Sequence, residues 1–122
     1  MEELADSTLK PIVFKTPHGF VYLDYDEIIL CSANRNCSDV FTINSDTSIR
    51  ILHKISFIEK KYCNDKFIRC HKSHIINLKY IESLSIKTHQ IHLKDSYIVP
   101  LSYECWKKLR RMSIICISDK EI

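Results

Sequence analysis

Phe67-Ile-Arg-Cys-His-Lys-Ser-His-Ile-Ile-Asn-Leu78 is the stretch from which the rest of the chain can be read. Its apolar ends are strand-forming, and between them Arg69, His71, Lys72, Ser73 and Asn77 fall within nine residues. Charged, hydroxyl and amide side chains set between β-formers suit contact with phosphates and base edges better than they suit a buried core. The same residues leave a metal site and a catalytic dyad open. On an extended segment side chains alternate, which puts Arg69, His71 and Ser73 on one face and Lys72 on the other.

Outward from this stretch, the chain is a series of short apolar runs broken by polar turns. The expected strands are Ile12–Lys15, Phe20–Leu23, Ile28–Ser32, Asp39–Ile43, Ser48–Ile51, Phe67–Cys70, Ile75–Asn77, Ile81–Ile86, Gln90–Leu93 and Tyr97–Val99. β-Branched and aromatic residues dominate them, as a pleated, half-buried surface favours. Asn44-Ser45-Asp46, Lys87-Thr88-His89 and Lys94-Asp95-Ser96 read as hairpin turns. With Gly19 the only glycine, Asn and Asp are expected to supply any left-handed turn positions.

Leu52, Ile55, Ile58 and Tyr62 recur at helical spacing, which predicts a helix over 52–62 ended by the Asn64-Asp65 turn. A second helix is expected after Pro100, with Ser102 as its N-cap and Leu109 packed inward. The expected fold class is therefore mainly β: a meander of short antiparallel strands with one internal helix. Residues 12–112 form the domain, between a polar N-terminal segment (1–11) and a C-terminal tail (113–122).

Composition excludes several classes. A chain of 122 residues with 45% hydrophobic and 27% charged residues folds as one domain and is not disordered. No apolar stretch is long enough to span a bilayer, and Met1–Lys10 lacks a signal-peptide run, so no membrane association and a cytoplasmic location are expected. The six cysteines then read as free thiols. The formal charge of +3 hides an asymmetry: residues 1–30 hold two lysines against six carboxylates, and the remainder holds 16 basic against 9 acidic residues. A basic surface of this kind usually meets nucleic acid, although a solvated face accounts for it equally well.

The rival chemistries are poorly supplied. Cys63, Cys70, His71 and His74 match no compact zinc module, and no Cys-x-x-Cys pair occurs. A Cys–His nucleophile lacks an orienting third group, and Gly-rich phosphate loops, His-Glu-x-x-His and paired carboxylates are all missing. Neither catalytic residues nor a cofactor nor a metal is expected.

The spacing of Phe67, Arg69, His71, Ser73 and Asn77, followed by Ile81, resembles the signature of the LytTR DNA-binding domain of bacterial response regulators. The flanking segments agree in order: the Asp26–Leu30 strand, the Asn34-Arg35-Asn36 turn, the helix after Ile51, and Val99-Pro-Leu-Ser102. The similarity covers about residues 12–110. It implies an elongated β-β-β fold and a transcription regulator that reads successive major grooves of double-stranded DNA with loops, at directly repeated sites. Two copies can meet on such DNA.

Carried over by position, the reading residues are Asn34, Arg35, Asn36, Cys37, Lys72, Ser102 and Tyr103, with Lys107 among the cations available to phosphate. Arginine or lysine can donate to guanine O6 and N7, and asparagine can bond adenine at two points. Arg69 either neutralises a phosphate or pairs with a carboxylate. His71, Ser73 and Asn77 are assigned to bracing the loop and satisfying backbone groups at a strand end. Two positions depart from the family pattern: Tyr103 stands where many relatives carry arginine, and Cys37 where His or Tyr is frequent. Both imply an altered sequence preference, which Lys107, Lys108, Arg110 and Arg111 offset by holding phosphate.

The chain is expected to act without a receiver domain. The alternative is a protein-interaction module that binds or inhibits a related regulator, using the acidic Asp24, Asp26 and Glu27. Redox control through Cys37, beside Arg35, is a third reading.

Overall fold

The run Ile28-Ile-Leu-Cys31 shows no polar alternation because its strand is covered on both faces. The computed structural model describes residues 11–64 and 66–112. It contains β1 (Ile12–Thr16), β2 (Gly19–Leu23), β3 (Ile28–Asn34), β4 (Cys37–Thr42), β5 (Ile49–Ile51) and α1 (Ile55–Tyr62). These are followed by β6 (Phe67–His71), β7 (His74–Asn77), β8 (Ile81–Ser85), β9 (Gln90–Leu93), β10 (Ile98–Pro100) and α2 (Tyr103–Met112). All pairings are antiparallel and form three sheets: β1-β2, a central β5-β4-β3-β7-β6, and β10-β9-β8. The mainly β class and the ten strands agree with the sequence reading. The polar segment 1–10 and the tail 113–122 lie outside the described residues.

The central sheet separates two cores. On one face Ile28, Cys31, Val40, Phe67 and Ile75 pack against Ile12, Phe14 and Leu23 of the first sheet and Ile55 and Ile58 of α1. On the other, Ile29, Leu30, Ile68, Cys70 and Ile76 meet Ile91, Leu93 and Val99 of the third sheet and Cys105, Trp106 and Leu109 of α2. Ile29 and Leu30 serve the same core although adjacent, because the β3–β4 register shifts between Ile28 and Leu30. A bulge inserts one residue and so changes which face the next side chain takes.

A second bulge corrects the expectation that Arg69, His71 and Ser73 share a face. The β6–β7 register shifts between Arg69 and His71, so Arg69 pairs with Ile75 but His71 pairs with His74. Lys72-Ser73 is a two-residue turn, and Ser73 belongs to no strand. Leu52 also departs from its expected place: it is 39% exposed and precedes the helix, and its amide donates to the Lys15 carbonyl at 2.8 Å. That bond joins the first sheet to the exit of β5.

Among the described residues the left-handed non-glycine positions are Arg35 (φ 61°), His89 (φ 57°), Asp95 (φ 63°) and Ser96 (φ 67°). Only one is Asp and none is Asn, so tight connections in a glycine-poor chain override the residue preference. α2 begins as expected, with the Ser102 hydroxyl accepting from the Cys105 amide at 3.0 Å. Asn77 is 2% exposed. Its Nδ2 donates to the carbonyls of Tyr25 and Ile28, both at 2.9 Å, and its Oδ1 accepts from the Lys79 amide at 3.0 Å.

Candidate nucleic-acid interface

In an antiparallel meander successive connections leave from opposite ends of the strands. One end of this molecule therefore carries the β1–β2, β3–β4, β6–β7 and β8–β9 turns and the exits of β5 and β10 into the two helices. Backbone bonds hold these connections together. The Ala33 amide donates to the Ser73 carbonyl at 2.8 Å, Ser102 to Cys70 at 3.2 Å and Leu101 to His89 at 2.8 Å. The first sheet is secured by the Lys15 amide, which donates to His53 Nε2 at 3.1 Å.

The charge of the two ends differs. The connections at this end contain Arg35, Lys54, Lys72 and Lys87, together with His18, His53 and His89, and no Asp or Glu. Those at the far end hold Asp24, Asp26, Glu27, Asp46 and Asp95 against Lys66, Lys79 and Lys94 among the described residues. Charge along the sequence, acidic early and basic later, becomes charge sorted between the two ends of the sheets.

The residues singled out from the sequence fall into two groups here. Arg35, Asn36, Lys72 and Tyr103 are exposed, Tyr103 by 70%. The Lys107 ammonium lies 5.1 Å from the Tyr103 ring centroid and 3.7 Å from Glu104, so it sits beside Tyr103 at the same end. The others are engaged within the protein. Asn34 donates to Asp39 at 3.0 Å, and Ser102 caps α2. Cys37 is half-buried where β4 begins, and Asn77 sits at the far end.

Of the two roles left open for Arg69, the structure holds the carboxylate pair: Nη1 donates to Glu59 Oε1 at 2.6 Å and Nη2 to the Lys72 carbonyl at 2.5 Å. His71 Nδ1 accepts from the Ser73 amide at 3.2 Å, and His74 Nδ1 lies 2.9 Å from the Ser32 hydroxyl.

The expected basic group on α2 divides. Lys107 joins the turn end, whereas Lys108 and Arg111 line a groove with Glu59, Cys63, Phe67 and Arg69 along the β6 edge. Neither the motif nor its flanks single out Lys54 and Lys87. Their common end follows only from counting connections alternately, starting at the β1–β2 turn.

Four thiols are poor nucleophiles. Burial pushes Cys31 and Cys70 up to about 12, and Cys63 and Cys105 up to about 11. All five cysteines among the described residues are free thiols. Cys116 lies outside them. No group of three or more His, Cys, Asp or Glu among the described residues is arranged to hold a metal ion. No described helix is long and apolar enough to cross a membrane.

The family model for the LytTr DNA-binding domain matches residues 18–113, which include every connection of the turn end except Pro17. The chain belongs to this family. The LytTr domain of a putative methyl-accepting/DNA response regulator from Bacillus cereus superimposes with a TM-score of 0.70 at 21% identity, over 84% of this chain and 95% of that one. Among curated relatives, the sensory transduction protein LytT of Bacillus subtilis is 28% identical over 97 residues, 77% of this chain. Accessory gene regulator protein A of Staphylococcus aureus is 24% identical over 90 residues, 74% of this chain. The match spans 39% of the length of the first and 37% of the second. In this LytTr domain the three-sheet arrangement and the clustered turns are thus the fold of a DNA-binding family.

Proposed function

We propose that this LytTr domain regulates transcription by binding duplex DNA with its cationic turn end. The observation that carries the reading is that end's composition: four Lys or Arg side chains in six neighbouring connections with no carboxylate among them. Arg35 and Asn36 in one turn and Lys72 in the next supply the major-groove contacts, since they are exposed and their turns are joined through Ala33 and Ser73. Lys54 and Lys87, on connections to either side, meet phosphates, as does Lys107 beside Tyr103. Tyr103 bonds phosphate or packs against a base edge, a looser preference than a bidentate arginine would impose. Directly repeated sites, each occupied by one copy, suit a domain whose contacts come from one end.

Affinity then comes largely from counterion release. Selection of bound duplexes from a random pool tests the reading. Enrichment of a short repeat supports it, and a pool that stays random at low salt sinks it.

A second reading, an interaction module that binds a related regulator, draws on one observation. Phe20 and Tyr22 are each 69% exposed at alternate positions of β2, an apolar pair unusual for an edge that meets only water. Sedimentation with and without duplex separates the two readings, because an interaction module associates with protein and leaves the duplex free.

A further inference from the structure

Arg69 is hydrogen-bonded to the turn that its own strand enters. Its guanidinium joins Glu59, on α1, to the carbonyl of Lys72, in the β6–β7 turn. Both backbone groups of Ser73 are held too. The Ser73 amide donates to His71 Nδ1, and the Ser73 carbonyl accepts from Ala33 in the neighbouring strand. Three backbone atoms of a two-residue turn are thus fixed by the protein, and the Lys72 side chain is left exposed. Such restraint removes, before binding, the ordering cost that a mobile loop would incur on meeting its ligand.

The charge arithmetic points the same way. An arginine that serves phosphate directly needs its donors turned to solvent. Here one N–H of Nη1 and one of Nη2 are engaged at short distances within the protein, Nε is buried without a partner, and the side chain is 24% exposed. Glu59 supplies the opposite charge, and α1 is anchored in the first core by Ile55 and Ile58. The bulge between Arg69 and His71 adds a division of labour. It turns His71 towards His74 while Arg69 stays on the face of α1, so the turn is gripped from both faces of the sheet.

We infer that Arg69 and Glu59 are positioning residues: together they form a strut from α1 that presets the Lys72-Ser73 turn for DNA, and Arg69 does not itself contact phosphate. The inference rests on the turn end being the DNA-binding surface. Two arms of one experiment keep them apart.

The first arm needs no DNA. Backbone order of Lys72 and Ser73 is measured by ¹⁵N relaxation in the wild-type chain, Glu59→Ala and Arg69→Lys. The strut predicts lower order at these two residues in both variants and no change at Asp24 and Asp26, at the far end. Unchanged order at Lys72 and Ser73 overturns it.

The second arm measures affinity for a mixed-sequence duplex against salt. Removing Glu59 deletes a negative charge, so if Arg69 were a phosphate contact, Glu59→Ala would free it and tighten binding. The strut predicts the opposite sign, a loss of about three- to tenfold, the net worth of one ordinary hydrogen bond. It also predicts that Arg69→Lys weakens binding with the salt slope unchanged, and that the loss shrinks when Lys72 is already Ala. Tighter binding by Glu59→Ala, or a slope reduced by about 0.9 in Arg69→Ala, overturns the inference. A wild-type chain that binds no duplex at low salt defeats the functional reading instead, and the first arm still decides the strut. Glu59 is outside the core, so its variant keeps the test open if Arg69→Ala fails to fold.

Discussion

The Ala33 amide donates to the Ser73 carbonyl at 2.8 Å, and through this bond the turn bearing Arg35 and the turn bearing Lys72 are held side by side. Each turn on its own offers one cation to a groove about 12 Å wide. Joined, they offer two side by side, with the exposed Asn36 next to Arg35 as the amide proposed to read a base. Arg35→Ala and Lys72→Ala should each weaken duplex binding, and their effects should not add, because a shift of one turn displaces the other. A double-variant cycle measured by fluorescence anisotropy checks this, strict additivity being the contrary result.

Lys54 and Lys87 occupy connections on opposite sides of these turns. If they meet phosphates, Lys54→Ala and Lys87→Ala each lower the slope of log K against log salt by about 0.9, equally for any sequence. Lys79→Ala, at the far end and 3.3 Å from Asp26, should leave the slope unchanged. Titrations at three or more salt concentrations distinguish the two classes.

Asn77 carries a prediction about stability alone. Truncation to Ala strands the carbonyls of Tyr25 and Ile28 and the amide of Lys79, in a site that is 2% exposed. The expected loss is about 2–4 kcal/mol. Urea unfolding measures it, and a loss no larger than a surface substitution gives would show that water replaces the amide.

Two histidines make stability depend on pH. Burial, reinforced by Lys61 and Lys15, holds His53 below its ordinary 6.5; burial, reinforced by His71, does the same for His74. The unfolded chain therefore binds protons that the folded chain refuses. Stability is full above 6.5 and falls as pH drops through the lower folded values. Thermal melts should show a lower Tm at about pH 5.5 than at about pH 7.5. The difference should narrow in His53→Gln, which cannot acquire the charge. An equal difference in that variant would place the effect elsewhere.

Much of the fold was legible because strands, turns and the α2 cap are local. Alternation and β-branching mark each run, and Ser102 caps the helix it precedes. What was not legible depends on pairing. The bulge that separates Arg69 from His71 exists only relative to β7, and the bond that ties Leu52 to Lys15 of β1 exists only once the sheets have met. The site divides in the same manner. Arg35, Asn36, Lys72 and Tyr103, the exposed members of the candidate site, are named by the motif and its flanks. Placing Lys54 and Lys87 at the same end requires knowing which connections share it. Arg69 shows the limit most plainly, since its partner lies ten residues away on a helix and nothing in the motif names Glu59.

The central claim, that DNA is held by one end of the three sheets, is tested most directly by amide shift mapping. A mixed-sequence duplex of about 20 base pairs, long enough to present two helical turns, would be titrated into the ¹⁵N-labelled chain at low salt. Binding at that end predicts perturbation at residues 18–19, 34–37, 52–54, 71–74, 86–89 and 101–104, with Asp24–Glu27, Asn44–Asp46 and Asp95–Tyr97 silent. Perturbation centred on that far end, or none at either, would contradict it.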